Sequence, residues 1–147
     1  MGQGETLVSP YHMALITSAV ANGGRLMEPY LVEEVTNYSG TIVEETDPES
    51  YGQLMTSEEA AQLKAYMQNV TDYGTGSVFA GSGYSVAGKT GTAEYSDGDS
   101  SKNHSWFVGF TNVDNPELVI SVIIEEADGN VRAVDVAKQI LDSYYYN

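Results

Sequence analysis

The sequence predicts an α+β fold in which helices precede an antiparallel three-stranded meander and a C-terminal helix covers the sheet. Three observations predict this arrangement. Helix start signals dominate the first half of the chain, whereas three successive β-rich runs occupy residues 84–126. The connections between those runs are short, which requires antiparallel pairing. With 147 residues and 41% hydrophobic side chains, the chain is long and apolar enough to bury one core.

The helical half contains two helices with recognisable starts. Ser9 is placed as an N-cap with Pro10 at the first helical position, and Gly23-Gly24 supplies a left-handed stop. A second helix begins after the capping-box pair Thr56 and Glu59. We therefore expect two helices, each ending close to a glycine.

The predicted strands show β-branched alternation. The strands before the second helix form a hairpin of residues 31–36 and 41–45. The strands after it form the meander, which consists of residues 84–95, 104–111 and 117–126. A polar loop, residues 96–102, joins the first two meander strands. Residues 131–145 have helical apolar spacing and form the covering helix.

Composition excludes several functions. The net charge of −15 comes from 6 basic and 21 acidic residues, so the chain repels phosphate backbones and nucleic-acid binding is disfavoured. The absence of cysteine excludes disulfides and thiolate metal sites, and no cofactor or metal is expected. Because the apolar runs are too short to cross a bilayer, any membrane anchor is expected outside this sequence, and the chain itself is expected to be soluble.

The sequence Lys89-Thr90-Gly91-Thr92 on the first meander strand combines groups that suit a carboxylate-ending peptide. Alternation directs Lys89 and Gly91 to one face and the two threonines to the other. The glycine lets a ligand or another backbone approach closely. An extended peptide could add to the strand edge while the polar groups hold its terminus, and a backbone N–H just past the glycine could donate to an oxyanion.

Five segments, in order, resemble segments of the penicillin-binding transpeptidases of the serine β-lactamase and D,D-peptidase superfamily. The sequence looks more like the class B, monofunctional members of that family. The five segments are Gly2-Gln3-Gly4, the Ser9-Pro10 helix ending at Ala21-Asn22-Gly23-Gly24, Gly74-Thr75-Gly76, residues 87–93 around the Lys-Thr-Gly motif, and His104-Ser105-Trp106-Phe107-Val108-Gly109-Phe110. The resemblance covers nearly the whole chain. It implies a partial β-lactamase/transpeptidase-like fold.

The resemblance also implies an activity and roles for residues. The parent protein would be a serine-type D,D-transpeptidase that crosslinks peptidoglycan stem peptides ending in D-alanyl-D-alanine, binds β-lactams and works outside the bacterial cytoplasmic membrane. Lys89 and Thr92 would be catalytic, Lys89 assisting proton movement and the Thr92 amide donating to the oxyanion. Thr90, Gly91 and Thr92 would bind the substrate, with both hydroxyls on its carboxylate.

The sequence departs from the family at its nucleophile, because Ser-x-x-Lys is required. The residues three positions before the four lysines are Ala61, Val86, Asp99 and Asp135. The family also has a Ser-x-Asn motif before the Lys-Thr-Gly strand, and this sequence lacks it there. Ser101-Lys102-Asn103 has the same spacing but lies after that strand, in a loop, and we interpret it as coincidence. We therefore expect residues 1–147 to be the C-terminal portion of a transpeptidase domain, inactive alone and prone to self-association through apolar surface that the rest of the domain would cover.

Two alternatives compete with this interpretation. One is a non-catalytic binding or interaction module derived from the same fold. The other is a P-loop NTPase, since Gly83 to Thr90 fits the Walker A spacing, although no strand precedes it and no helix follows it.

Other patterns have plain structural interpretations. Asp97, Asp99 and Ser101 alternate like a calcium loop, but position twelve is valine, so we expect only a solvated loop. We interpret the aromatic residues of the second meander strand, Trp106, Phe107 and Phe110, as packing residues. His12 and His104 are interpreted as structural. The terminal Tyr144-Tyr145-Tyr146 is interpreted as the frayed end of the last helix.

Overall fold

The computed structural model describes residues 6–95, 103–127 and 129–146. In chain order the elements are α1 (Pro10–Ala21), β1 (Arg25–Met27), β2 (Glu34–Thr36), β3 (Ile42–Glu45), β4 (Ser50–Gln53), α2 (Ser57–Asp72), a 3₁₀ turn (Ser77–Phe79), β5 (Val86–Glu94), β6 (Asn103–Thr111), β7 (Val119–Ala127) and α3 (Ala133–Tyr146). This order confirms the predicted α+β class. The Asp97, Asp99 and Ser101 pattern, and the Gly2-Gln3-Gly4 segment, lie outside the described residues.

Both predicted helix starts are confirmed by their capping contacts. Ser9 Oγ accepts from the His12 amide at 3.2 Å. At α2, the Thr56 side chain accepts from the Glu59 amide, and the Glu59 carboxylate accepts from the Thr56 amide at 2.8 Å. These contacts satisfy amides that a helix leaves without partners at its start. The stop of α1 is confirmed as well, since Gly23 and Gly24 have φ of +63° and +91°.

The meander is the centre of the fold. Strands β5, β6 and β7 form one sheet in that order, and both pairings are antiparallel, as predicted. Helices α1 and α2 pack on one face of this sheet, through Val20, Ala21 and Met67 against Ala87 and Phe110. Helix α3 covers the other face, where Val134, Ala137 and Leu141 pack around Phe107. The sheet is therefore sandwiched between two helical layers.

The small strands were only partly predicted. The hairpin of β2 and β3 is confirmed, with strands shorter than the alternation suggested. A second pair, β1 with β4, was not predicted. Its strands are three and four residues long, which is too short for alternation to be recognised. Among the described residues, no helix is long and apolar enough to cross a membrane.

Candidate active site

The Lys89-Thr90-Gly91-Thr92 motif lies within β5, as predicted. β5 forms the edge of the three-stranded sheet because it pairs only with β6 among the described strands. The register places Lys89 opposite Val108 and Gly91 opposite Trp106. The motif therefore occupies a regular edge strand, whose outer side is available for an extended ligand. Because this segment belongs to a strand paired antiparallel with β6 and not to a loop opening a helix, the P-loop alternative is excluded.

Packing shows which face each motif residue occupies. Ala87 is buried with Val20 of α1, and Val86 is buried with Val134 of α3. Alternation from these two positions puts Lys89 on the α1 and α2 face, and Thr90 on the α3 face. Lys89 is exposed, and its Nζ donates to the backbone oxygen of Thr90 at 2.5 Å. The ammonium group thus turns toward the backbone of the next motif residue.

The hydroxyl of Thr90 contacts a residue that is distant in sequence. Thr90 Oγ1 and Thr75 Oγ1 are 2.6 Å apart. Thr75 lies in the turn between α2 and the 3₁₀ turn, where the amides of Gly74 and Gly76 both donate to the Val70 oxygen, at 3.1 and 2.9 Å. The structure therefore joins two of the segments, around Gly74-Thr75-Gly76 and around Lys89, that the sequence singled out separately.

A cavity of about 370 Å³ lies beside the two motif threonines. Its lining includes Thr75, Thr90, Gly91, Thr92, Ser105 and Arg132. Arg132 is paired with Asp135 at 2.6 Å. Lys89 is not part of this lining, so the motif presents its hydroxyls and its cation in different directions. Four hydroxyl-bearing side chains lie among apolar ones in this lining, and hydroxyl donors suit a carboxylate.

Glycines at two motif-strand positions are explained by close contacts with β6. A Cβ added to Gly91 would lie 3.2 Å from the Cβ of Trp106, and one added to Gly88 would overlap the ring of Phe107. Phe107 is fully buried and Trp106 is half-buried. The predicted packing role is confirmed for Phe107 and Phe110, whereas Trp106 also lines the cavity.

The start of β5 is anchored by α3. The Tyr84 hydroxyl donates to Asp142 at 2.7 Å, and Lys138 Nζ approaches the same carboxylate at 2.7 Å. The hydrogen bond from Lys138, with that from Tyr84, holds the pKa of Asp142 below its ordinary value. Burial and the neighbouring carboxylate raise the pKa of Tyr84 above its ordinary value. These contacts tie the motif strand to the helix behind it.

The prediction of a frayed C-terminal helix is wrong. Tyr146 lies within α3, and its hydroxyl accepts from the Gly83 amide at 2.7 Å. The Tyr145 hydroxyl lies 2.7 Å from Thr111 Oγ1. The rings of Tyr144 and Tyr146 are exposed, so the hydroxyl hydrogen bonds of Tyr145 and Tyr146, not ring burial, hold this end in place. The structural interpretation of His104 agrees with its contacts, since its Nδ1 accepts from the Glu126 amide at 3.0 Å and its ring stacks on Tyr95.

Metal binding has no support in the part of the chain that the structure describes. No group of three or more histidine, aspartate or glutamate side chains is placed there to hold an ion. The acidic loop at residues 96–102 lies outside the described residues.

Comparison with known proteins extends these observations. The sequence profile of the penicillin binding protein transpeptidase domain matches residues 1–142. The peptidoglycan D,D-transpeptidase MrdA of Haemophilus influenzae is 32% identical over 166 aligned positions, covering 100% of this chain and 25% of that protein. Stage V sporulation protein D of Bacillus subtilis is 33% identical, covering 89% of this chain and 21% of that protein.

Solved structures give the same fold. The D,D-transpeptidase domain of a peptidoglycan glycosyltransferase from Eggerthella lenta aligns with a TM-score of 0.75 and 34% identity, covering 95% of this chain and 33% of that one. Penicillin-binding protein A from M. tuberculosis, solved as an imipenem acyl-enzyme complex, aligns with a TM-score of 0.82 and 24% identity, covering 97% of this chain and 32% of that one. The chain thus spans about a quarter of its curated relatives and about a third of the solved chains.

Proposed function

The chain belongs to the penicillin-binding protein transpeptidase domain family, and from this membership we propose that it forms the carboxylate-binding and oxyanion-binding wall of a serine-type peptidoglycan D,D-transpeptidase site. The observation that carries the proposal is the position of Lys89-Thr90-Gly91-Thr92 on an edge strand beside a cavity to which the motif threonines, Thr75 and Ser105 contribute hydroxyl groups. That position suits a peptide lying along β5 with its terminal carboxylate on the threonines.

The reaction is acyl transfer in two steps. A serine hydroxyl attacks the carbonyl of the penultimate D-alanine of a stem peptide, an ester forms, and the terminal D-alanine leaves with the serine proton on its amine. The amine of a neighbouring stem then attacks the ester, so that a new amide forms and the serine recovers its proton. A β-lactam enters the same site, where attack opens its ring amide and leaves the serine acylated.

The motif residues have separate tasks in this reaction. The hydroxyls of Thr90 and Thr92 hold the carboxylate, which fixes the carbonyl relative to the serine. The Thr92 amide donates to the oxyanion that forms on attack, an interaction worth roughly 3–4 kcal/mol in other acyl-transfer enzymes. Lys89 is a cation that assists proton movement near the serine. Gly91 leaves space at the strand for the ligand backbone.

The attacking serine has to come from outside this sequence, which contains no Ser-x-x-Lys. The isolated chain is therefore expected to form no covalent adduct with a fluorescent penicillin, as judged on a denaturing gel. The full-length protein under the same conditions is the positive control. A labelled band from the isolated chain would show that the chain carries its own nucleophile, and it would contradict the proposal that the attacking serine lies outside this sequence.

A non-catalytic interaction module derived from the same fold is the second candidate. The full gene distinguishes the two, since an upstream Ser-x-x-Lys supports the enzyme and its absence supports the module. As a transpeptidase, the whole protein would act at the extracytoplasmic face of the bacterial membrane, attached by a segment outside this sequence.

Self-association of the isolated chain is a further expectation. Several apolar side chains are largely exposed, including Leu7 at 96%, Leu31 at 103% and Tyr38 at 113%. Contiguous apolar surface that the rest of a transpeptidase domain would cover favours association. Light scattering at increasing concentration should therefore give a rising apparent mass, whereas a constant monomer mass at the highest concentration would contradict the expectation.

A further inference from the structure

Thr75 lies outside the Lys-Thr-Gly motif, and its hydroxyl contacts a motif hydroxyl. Its Oγ1 lies 2.6 Å from Thr90 Oγ1, and both residues line the cavity of about 370 Å³. At this separation one of the two hydroxyls donates its proton to the other. Each hydroxyl has one proton and can accept up to two hydrogen bonds. The direction of this one bond therefore determines what Thr90 can offer a ligand.

The chemistry of the ligand determines the direction of the hydrogen bond between the Thr75 and Thr90 hydroxyls. A carboxylate only accepts hydrogen bonds, so Thr90 must direct its own proton toward it. If Thr90 donated to Thr75 instead, it would present an oxygen lone pair to the carboxylate and repel it. When Thr75 donates to Thr90, the Thr90 proton is free for the ligand, and the two bonds polarise each other in the same sense.

The turn that carries Thr75 is held in place by its own backbone. The amides on both sides of Thr75, those of Gly74 and Gly76, donate to the same Val70 oxygen at the end of α2. A Cβ at Gly74 would lie 3.0 Å from that oxygen, and a Cβ at Gly76 would lie 3.2 Å from it. A larger residue at either position would shift the turn. Thr75 is thus presented to Thr90 from a fixed position.

We propose that Thr75 is a positioning residue for carboxylate recognition, donating its hydroxyl proton to Thr90 so that Thr90 donates to the carboxylate. This inference rests on the proposed function and adds to it a residue that acts on the ligand through Thr90. The two residues then have different roles. Lys89 assists proton movement near the attacking serine, and Thr75 orients the Thr90 hydroxyl that binds the ligand's carboxylate.

The test compares Thr75→Val with Thr75→Ser in the full-length protein. The rate of acylation is measured by mass spectrometry with benzylpenicillin and with an analogue in which hydrogen replaces the carboxylate. Thr75→Val should slow acylation by benzylpenicillin by roughly two- to fivefold, since Thr90 keeps its proton but loses the hydrogen bond that polarises and orients its hydroxyl toward the charged ligand. It should leave acylation by the analogue unchanged, and Thr75→Ser should restore the rate with benzylpenicillin. Thr36→Val, an exposed substitution in β2, is the matched control.

A double-mutant cycle separates positioning from general damage. In a Thr90→Val background, Thr75→Val should not slow acylation by benzylpenicillin any further, because the hydrogen bond from the Thr90 hydroxyl to the carboxylate is already absent. Equal slowing with both penicillins, or no slowing with either, would overturn the role of Thr75. Retention of full acylation by Lys89→Ala would instead count against the proposed function, so the two failures are distinguishable.

Discussion

Replacing Lys89 with alanine in the full-length protein is expected to lower the rate of acylation by penicillin by roughly 10²–10⁴-fold, the range that a positioned proton-transfer group contributes. Lys89 is exposed on the edge strand, and the contact described for its Nζ is with the neighbouring Thr90 oxygen. Its removal takes a cation from the site without opening a cavity in the core. The fold should therefore be intact while the chemistry is lost.

The measurement is the rate of covalent labelling, together with the thermal unfolding midpoint. Arg25→Ala is the matched control, because it removes an exposed cation from β1 and should leave the rate unchanged. A labelling rate for Lys89→Ala close to that of the wild type would remove Lys89 from the catalytic site. A large fall in the unfolding midpoint would mean that its role is structural.

Replacing Phe107 with alanine is expected to lower the free energy of unfolding by about 3–5 kcal/mol, the usual loss for a buried phenylalanine. Phe107 is fully buried, packs against Phe79 in a tilted arrangement with ring centroids 5.4 Å apart, and lies opposite Thr90 in the sheet. Its ring also fills the space beside Gly88. The substitution would leave a cavity between the sheet and α3, directly behind the motif.

Urea unfolding of the 147-residue chain measures this loss. Tyr38→Ala is the comparison, since Tyr38 is fully exposed and its truncation should change stability by no more than about 0.5 kcal/mol. Phe107→Leu should give an intermediate value because it retains much of the apolar volume. Equal losses for Phe107→Ala and Tyr38→Ala would mean that the core is not centred on this ring.

The sequence was most informative where a local rule determines structure. The caps at Ser9 and Thr56 were predicted because a side-chain oxygen followed by the right residue satisfies the first amides of a helix. The meander was predicted because short connections permit only antiparallel pairing. Strand alternation also predicted that Lys89 and Thr90 would lie on opposite faces.

What could not be predicted depends on contacts between distant residues. The pairing of β1 with β4 joins two very short segments, and no periodicity marks them. The Thr75 and Thr90 contact joins a turn to a strand 15 residues later, so only the folded chain reveals it. The anchoring of Gly83 by Tyr146 spans 63 residues and reverses the expectation of a frayed end.

A crystal structure of the full-length protein acylated by penicillin would test whether this chain supplies the carboxylate-binding and oxyanion-binding side of the site while another segment supplies the serine. We expect the serine bearing the adduct to lie outside residues 1–147. We also expect the adduct's carboxylate to accept hydrogen bonds from the hydroxyls of Thr90 and Thr92, and its carbonyl oxygen to accept one from the Thr92 amide. An adduct on a serine of this chain, or one whose carboxylate has no contact with β5, would contradict the proposed function.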